Sequence, residues 1–162
     1  MRRADLILLL LCALCACSSS VDDGARDMTM PRIIQDGILP VPDDCELFFL
    51  GDTIHFHYIF EDDTELGAFN IEIHNNFDHH SHSTSASECI MDPKKKPLKP
   101  WVFNKDYAIP DGLRTYDASL DILIPADVDP GDYHFMIRLT DKAGWQQLKA
   151  ASVKIINNTM AN

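Results

Sequence analysis

Residues 129–135 read Asp-Pro-Gly-Asp-Tyr-His-Phe, and this stretch decides the fold. Its Pro-Gly pair is a turn signal, because proline fixes φ and glycine accepts a left-handed backbone. After the turn, apolar side chains occupy every second position: Tyr133, Phe135, Ile137 and Leu139. Successive side chains of a strand point to opposite faces of a sheet, so this period of two predicts a β-strand with one buried face.

The same stretch resembles Asp-x-Gly-x-Tyr-x-Cys, the pattern that opens strand F of immunoglobulin domains. The resemblance implies that Tyr133 forms a tyrosine corner, in which its hydroxyl bonds to the backbone upstream. Phe135 stands where immunoglobulin domains carry the second cysteine of their intersheet disulfide. We therefore expect apolar packing of Phe135 to replace that bridge, and residues 141–144 to form the turn between strands F and G.

Four further stretches have the same period of two, with turn residues between them. Together with the first stretch they predict strands B, C, E, F and G at about residues 53–60, 67–75, 117–124, 132–140 and 149–157. No comparable stretch has helical spacing. About seven short strands with this punctuation predict an all-β fold, an immunoglobulin-like β-sandwich over residues 31–158.

Residues 76–116 form a long inserted loop of weak periodicity between strands C and E. Loops of this length are uncommon in compact domains unless they are functional or disordered. The insertion contains most of a histidine-rich stretch, Cys89, the lysines of residues 94–99 and Trp101. We interpret the lysines as a solvated loop that offsets local acidity, rather than as a site for an anionic ligand.

The chain has 162 residues and a formal net charge of −11, from 14 Lys and Arg against 25 Asp and Glu. This length suits one domain with a substantial core. The acidic balance argues against a nucleic-acid partner, since binding phosphates needs clustered basic side chains. No apolar run of about 20 residues occurs beyond the N-terminus, which excludes a polytopic membrane protein.

The N-terminus has the pattern of an export signal. Two arginines precede the apolar run Leu6–Leu14, which is too short to span a bilayer. The tetrad Leu14-Cys15-Ala16-Cys17 resembles the lipobox of bacterial lipoproteins. That resemblance implies removal of residues 1–16 as a signal peptide and attachment of lipid to Cys17, which would hold the protein on a membrane.

Residues 17–30 are then expected to be a lipidated, flexible tether, because their composition is polar and acidic. Serine after the lipidated cysteine resembles an outer-membrane sorting signal, and Asp22-Asp23 resembles a signal for export to the cell surface. An ordinary solvated linker would have the same composition. We expect a lipid-anchored protein of the cell outer membrane, facing outward if the acidic pair acts as that signal.

Cysteine usage agrees with export. Apart from Cys17 and the cysteines of the signal, only Cys45 and Cys89 are present. An even pair of cysteines in an exported protein favours a disulfide over two thiols. Such a bridge would hold the long insertion against the segment between strands A and B.

The histidines are the residues with the strongest potential for chemistry. Four lie within residues 74–82, and strands C and F should place one histidine each on the outward face of the same sheet. The loop after strand C could fold back over that face, and Glu72 or Asp78 could act as ligands or fix an imidazole tautomer. Imidazole suits Zn²⁺ or Cu²⁺, so we predict that one of these metals is the cofactor. The candidate ligands are His74, His79, His80, His82 and His134.

Other interpretations remain open. We favour a structural role for His55 and His57, because strand B belongs to the opposite sheet. The asparagines and serines around residues 75–85, with an exposed Trp101, could instead form a surface for a protein or glycan partner. No hydrolase signature or phosphate-binding glycine loop occurs, so we expect a binding protein without enzymatic activity.

Three stretches and the lipobox resemble an uncharacterised family of lipoproteins from Bacteroides-like bacteria, a domain of unknown function with an immunoglobulin-like sandwich. The stretches are Phe69–Ser83, Lys99–Phe103 and Pro130–Gln146, and the likeness covers about residues 30–157. The resemblance implies a cell-envelope lipoprotein that works beside an outer-membrane uptake receptor. It implies no activity and no site residues.

Overall fold

Two β-sheets form in the computed structural model, which describes residues 26–35, 37, 39–81 and 89–158. Within these residues there are eight strands and no helix. No helix long and apolar enough to cross a membrane is present there either. The strands are β1 (Arg32–Ile34), β2 (Glu46–Phe49), β3 (Thr53–Glu61), β4 (Leu66–Asn75), β5 (Phe103–Ala108), β6 (Thr115–Leu123), β7 (Gly131–Asp141) and β8 (Gln146–Ile156).

The sheets contain three and five strands, in the orders β1-β3-β6 and β2-β8-β7-β4-β5. Neighbouring strands are antiparallel except β2 and β8, which are parallel. The chain is therefore an all-β sandwich, as predicted. The five predicted strands correspond to β3, β4, β6, β7 and β8, within one or two residues at most ends.

The alternation of apolar and polar side chains along the strands explains why the two sheets pack face to face. On β3, Ile54, Phe56, Tyr58 and Phe60 are at most 1% exposed, while the histidines between them face outward. The apolar side chains at alternate positions of β4 and β7 are equally buried. Burial of these side chains removes apolar surface from water, at about 25 cal/mol per Å². Their shared interior is the core of the sandwich.

Phe135 of β7 stacks on Phe56 of β3, with ring centroids 5.9 Å apart and an interplanar angle of 20°. The two strands belong to different sheets, so this pair joins the sheets where an immunoglobulin domain would have a disulfide. The tyrosine corner is also present, because the Tyr133 hydroxyl donates a 2.6 Å hydrogen bond to the carbonyl oxygen of Asp129. Both expectations for the 129–135 stretch are confirmed.

The insertion between β4 and β6 is more ordered than its sequence suggests. It contains β5, an edge strand paired with β4, which the sequence analysis assigned to a loop. The prediction that Trp101 is exposed is wrong, since this side chain is 5% exposed and packs near Tyr133. The backbone N–H of Trp101 donates to the Tyr133 hydroxyl at 3.2 Å. Contact with the tyrosine corner thus buries the tryptophan.

The predicted disulfide between Cys45 and Cys89 is present. Cys45 immediately precedes β2, and Cys89 lies in the insertion. The bond therefore holds the insertion against the β2 edge of the five-stranded sheet, as expected. Its presence agrees with an oxidising compartment.

Candidate metal centre

Three imidazole rings meet on the outer face of the five-stranded sheet. They belong to His74 of β4, His134 of β7 and His80 of the loop that follows β4. Their ring centroids are 5.4 Å apart for His74 and His80, 5.6 Å for His74 and His134, and 5.1 Å for His80 and His134. We call these three side chains the imidazole cluster.

The register of the sheet places two of the three side chains of the imidazole cluster. His74 lies directly opposite His134 in the antiparallel pairing of β4 with β7. The neighbouring Ile73 and Phe135 are completely buried in the core, so both histidines point to the outer face. Side chains directly opposite each other on one face of a sheet are in contact range.

A tight turn brings His80 to the same place. The backbone of Asn76 still bonds to Asp132, and the N–H of His79 donates to the carbonyl oxygen of Asn76 at 3.2 Å. His79 has a φ of 60°, a left-handed conformation that reverses the chain direction. The chain then crosses the outer face, where His134 Nε2 donates to the carbonyl oxygen of His80 at 3.1 Å.

Carboxylates lie against the Nδ1 atoms of two of these rings. Asp78 Oδ1 is 2.5 Å from His80 Nδ1, and Glu72 Oε1 is 3.1 Å from His74 Nδ1. The Glu72 contact has the distance of an ion pair but not the alignment of a hydrogen bond. The hydrogen bond from His80 lowers the pKa of the Asp78 carboxyl group. An ionised carboxylate beside Nδ1 favours the tautomer that carries its proton on that atom.

The Nε2 atoms of His74 and His80 face each other at 3.3 Å. With protons on both Nδ1 atoms, each neutral ring directs a lone pair from Nε2 toward the other. Two facing lone pairs repel, and a cation between them, either a proton or a metal ion, removes that repulsion. Two nitrogens bound to a tetrahedral Zn²⁺ at about 2.0–2.1 Å would lie about 3.3–3.4 Å apart. The observed separation therefore fits two ligands of one ion.

His134 has the opposite tautomer. Its Nε2 atom donates to a carbonyl oxygen, so Nδ1 is the lone-pair nitrogen of the neutral ring. The residue is 5% exposed, which restricts the ring to a narrow range of positions beside the other two. The imidazole cluster thus brings three rings together, with two facing Nε2 atoms and with Glu72 and Asp78 supplying two compensating negative charges.

Two further histidines were predicted as ligands, His79 and His82. His79 Nε2 is 2.9 Å from the carbonyl oxygen of Asp92, so this ring contacts the insertion rather than the imidazole cluster. His82 lies outside the described residues, as does the proposed lipidation site Cys17. His55 and His57 pair with Asp121 and Asp117 across β3 and β6, in the other sheet. That location agrees with the structural role we favoured for them.

An ionic network that the sequence analysis missed holds the insertion beside the imidazole cluster. Lys154 of β8 pairs with Asp92 at 2.7 Å and with Asp132 at 3.3 Å. Burial lowers the pKa of the Lys154 ammonium group, but the two carboxylates more than compensate, so the net shift is upward. The backbone N–H of Asp92 also donates to Asp132 at 2.7 Å. Lys154 occupies an outward position of β8 between buried Val153 and Ile155, so no local break in the pattern marks this network.

The lysines of the insertion bind neighbouring parts of the same chain. Lys95 donates to the carbonyl oxygen of Pro130 and lies 4.3 Å from the centroid of the Phe77 ring. Lys99 pairs with Asp127. These contacts agree with the interpretation of a loop that balances local charge. They also hold the insertion against the residues that precede β7.

Comparison with known proteins gives a family but no activity. No curated protein matches the sequence. Among solved structures, the sporulation control protein Spo0M from Bacillus subtilis matches with a TM-score of 0.38 and 9% identity, over 78% of this chain and 48% of that one. The chain thus spans about half of Spo0M, and a similarity at this level does not establish a shared fold. The family model described as a domain of unknown function, DUF4625, matches residues 15–156, and the chain belongs to that family.

Proposed function

We propose that this protein is a binding module of the cell envelope that takes up one divalent transition metal ion, Zn²⁺ or Cu²⁺, through His74, His80 and His134. The observation that carries the proposal is the 3.3 Å separation of two Nε2 atoms whose rings both have a carboxylate at Nδ1. Histidine ligands of metals almost always donate their second ring nitrogen to such a partner.

The chemistry of the cluster favours a transition metal over Ca²⁺ or Mg²⁺. Imidazole nitrogen suits Zn²⁺ and Cu²⁺, whereas the hard cations prefer oxygen. Three protein ligands leave one position of a tetrahedral ion open. An open position lets a second molecule take over the ion, which suits capture or delivery rather than permanent structural binding.

The proposal includes anchoring by lipid at Cys17, with the outer membrane as location and an uptake receptor there as partner. The lipobox-like tetrad at residues 14–17 supports the anchor, and the disulfide between Cys45 and Cys89 supports an oxidising compartment. Labelling of cells with a radioactive fatty acid tests the anchor. Wild-type protein should incorporate label, and Cys17→Ala protein should not; equal labelling of both would contradict it.

Metal titration of residues 22–162 tests the binding site, since this fragment keeps every described residue. We expect uptake of one Zn²⁺ or Cu²⁺ per chain. Replacement of His74 and His80 by alanine should abolish that uptake, because it removes both facing nitrogens.

His55→Ala is the matched control, because this exposed histidine pairs with a carboxylate in the other sheet. It should leave the stoichiometry unchanged. Stoichiometric uptake by the His74→Ala/His80→Ala variant would refute the proposed site. Equal loss in the control would show that the variants act through the fold.

A second candidate function is binding of a protein partner, supported by a cleft of about 440 Å³ beside the disulfide. Leu47, Ile90 and Met91 border this cleft and are exposed by 59%, 90% and 46%. Grouped, exposed apolar side chains often mark interaction sites. Cross-linking in intact cells distinguishes the candidates: Ile90→Asp should remove a specific cross-linked product if the cleft binds a partner, and metal uptake should be unchanged.

A further inference from the structure

Three carboxylates converge at the end of the sandwich opposite the imidazole cluster. Asp27 precedes β1, Asp62 follows β3, and Asp141 ends β7. One oxygen from each lies within 4.8 Å of the oxygens from the other two. Asp62 and Asp141 are 9% and 4% exposed, so the site is largely removed from water. We call these three residues the carboxylate triad.

One oxygen of each carboxylate is already used by the backbone. Asp62 Oδ1 accepts from the N–H groups of Thr64 and Glu65 at 2.8 and 2.7 Å. Asp141 Oδ1 accepts from the two N–H groups of residues 144 and 145 at 2.6 and 2.8 Å. Asp27 Oδ1 accepts from the N–H of residue 29 at 2.9 Å. These bonds cap turns and fix the orientation of all three carboxylates.

The second oxygen of each carboxylate has no such partner. Within the described residues, Oδ2 of Asp27, Asp62 and Asp141 is buried and accepts no hydrogen bond. No lysine, arginine or histidine of the described part of the chain forms an ion pair with any of the three. A buried charge without a partner is strongly unfavourable, and three neighbouring negative charges also repel one another.

We propose that the carboxylate triad binds a hard divalent cation, Ca²⁺, through the three Oδ2 atoms. Ca²⁺ takes six to eight oxygen ligands at about 2.3–2.6 Å in a flexible geometry, which suits carboxylates from three separate turns, with water completing the shell. Mg²⁺ requires a nearly ideal octahedron at about 2.0–2.1 Å and binds fewer protein carboxylates. The ion would supply the positive charge that the described protein groups do not.

Binding of the ion would have a structural consequence for the N-terminal segment. Two hydrogen bonds already hold this segment: Trp145 Nε1 donates to the carbonyl oxygen of Asp27 at 3.0 Å, and the Thr29 hydroxyl donates to Asp63 at 2.9 Å. A Ca²⁺ ion shared by Asp27, Asp62 and Asp141 would add a third link between this segment and both turns. The segment predicted as a flexible tether up to residue 30 would then be rigid from residue 27.

Calorimetric titration of the full-length chain in detergent with CaCl₂ tests the proposal. We expect saturable binding of one Ca²⁺ per chain and a rise in melting temperature that EGTA reverses. Asp27→Asn and Asp141→Asn should each weaken binding at least tenfold, because an amide keeps the hydrogen-bond acceptor at Oδ1 but loses the negative charge. Asp27 lies in a terminal segment, so this variant does not put folding of the sheets at risk.

Asp63→Asn is the matched control, since Asp63 is exposed, acidic and adjacent but outside the carboxylate triad. It should change the affinity less than threefold. Without Ca²⁺, Asp141→Asn should be at least as stable as wild type, because it relieves repulsion. Absence of saturable binding, or equal weakening in the control and in the triad variants, would overturn the proposal and indicate only general attraction to an acidic surface.

Discussion

The imidazole cluster and the carboxylate triad lie at opposite ends of the same pair of strands. Asn75 of β4 faces Tyr133 of β7 near the imidazole cluster, and Leu66 faces Asp141 at the other end. Asp141 lies seven positions beyond His134 on β7, which at 3.3 Å per residue is about 23 Å. One end presents nitrogen and the other presents oxygen, so the two ends of the sandwich provide sites suited to different classes of cation.

The two ends also differ in how their ligand atoms are oriented. At the imidazole cluster, carboxylate side chains fix the rings from outside and direct the Nε2 atoms inward. At the carboxylate triad, backbone N–H groups bind one oxygen of each side chain and leave the other. The orientation of the rings in the imidazole cluster therefore depends on side chains that single substitutions can remove. The triad depends on the conformation of its turns.

Replacement of the proposed ligands at one end and then at the other should give the largest changes in metal affinity. We expect the His74→Ala/His80→Ala variant to lose Zn²⁺ uptake by more than a hundredfold and to keep its Ca²⁺ affinity. Asp141→Asn should keep its Zn²⁺ affinity and lose Ca²⁺ affinity at least tenfold, because the sites share no ligand. Titration of both variants with both ions measures this, and a variant that loses both ions would show that the ends are coupled.

Acidification should give the next largest change in metal affinity, and it should affect the imidazole cluster but not the carboxylate triad. Imidazoles titrate near pH 6.5 and carboxyl groups near pH 4, and a metal ligand must lose its proton. From pH 7.5 to 5.5 we expect Zn²⁺ affinity to fall about tenfold for each imidazole that binds the ion, with little change for Ca²⁺. Metal titrations at both pH values measure the difference.

Asp78 should not contribute to that loss. Its pKa is lowered by the hydrogen bond from His80, so its ionised form persists below the usual range of an aspartate. Its stabilising contribution is present above about pH 4, the ordinary aspartate value, and disappears only as the pH falls through its lower folded value. An Asp78→Asn variant should therefore show the same steepness between pH 7.5 and 5.5; a shallower curve would contradict this assignment.

Removal of the carboxylates behind the imidazoles should have a smaller effect. Glu72→Gln and Asp78→Asn should each lower Zn²⁺ affinity by about 10–100-fold, the range observed for partners of metal-binding histidines. Neither change removes a proposed ligand, so the stoichiometry should remain one. Thr64→Val, in the turn before the far end of β4, is the control and should leave Zn²⁺ affinity unchanged.

Loss of one hydrogen bond at the N-terminal segment should have the smallest effect. Thr29→Val removes the donor to Asp63 and leaves the carboxylate triad intact. We expect a loss of about 1 kcal/mol or less, the usual net value of a hydrogen bond at an exposed position. Chemical denaturation with and without Ca²⁺ measures it. A large loss that Ca²⁺ does not restore would contradict the idea that the ion holds this segment.

Most of the sandwich could be predicted because its inner strands alternate. β3 and β4 bury every second side chain along most of their length, and Tyr133 and Phe135 of β7 occupy positions with a known structural role. β5 gave no such signal, because an edge strand with a solvated face needs few apolar residues. Only Phe103 and Tyr107 of β5 are even half-buried.

The sites were predictable to different degrees for a physical reason. Strand register follows from alternation, so the expected meeting of His74 and His134 could be derived from neighbouring strands. Whether His79 or His80 joins the imidazole cluster depends on the left-handed backbone of His79 in the turn. The spacing of the histidines in the sequence does not specify that conformation. Each aspartate of the carboxylate triad lies beside turn residues and is typical of a turn cap. Nothing local to the sequence predicts that their second oxygens converge.

The aromatic pair that joins the sheets has a consequence for the response of the protein to reductant. Phe56 and Phe135 contain no sulfur, so a reducing agent leaves the contact between the two sheets intact. The Cys45–Cys89 bond is the redox-sensitive link, and it secures the insertion rather than the core. Thiol exchange at this bond would therefore loosen the insertion around Cys89, beside the β2 edge, while both sheets stay folded.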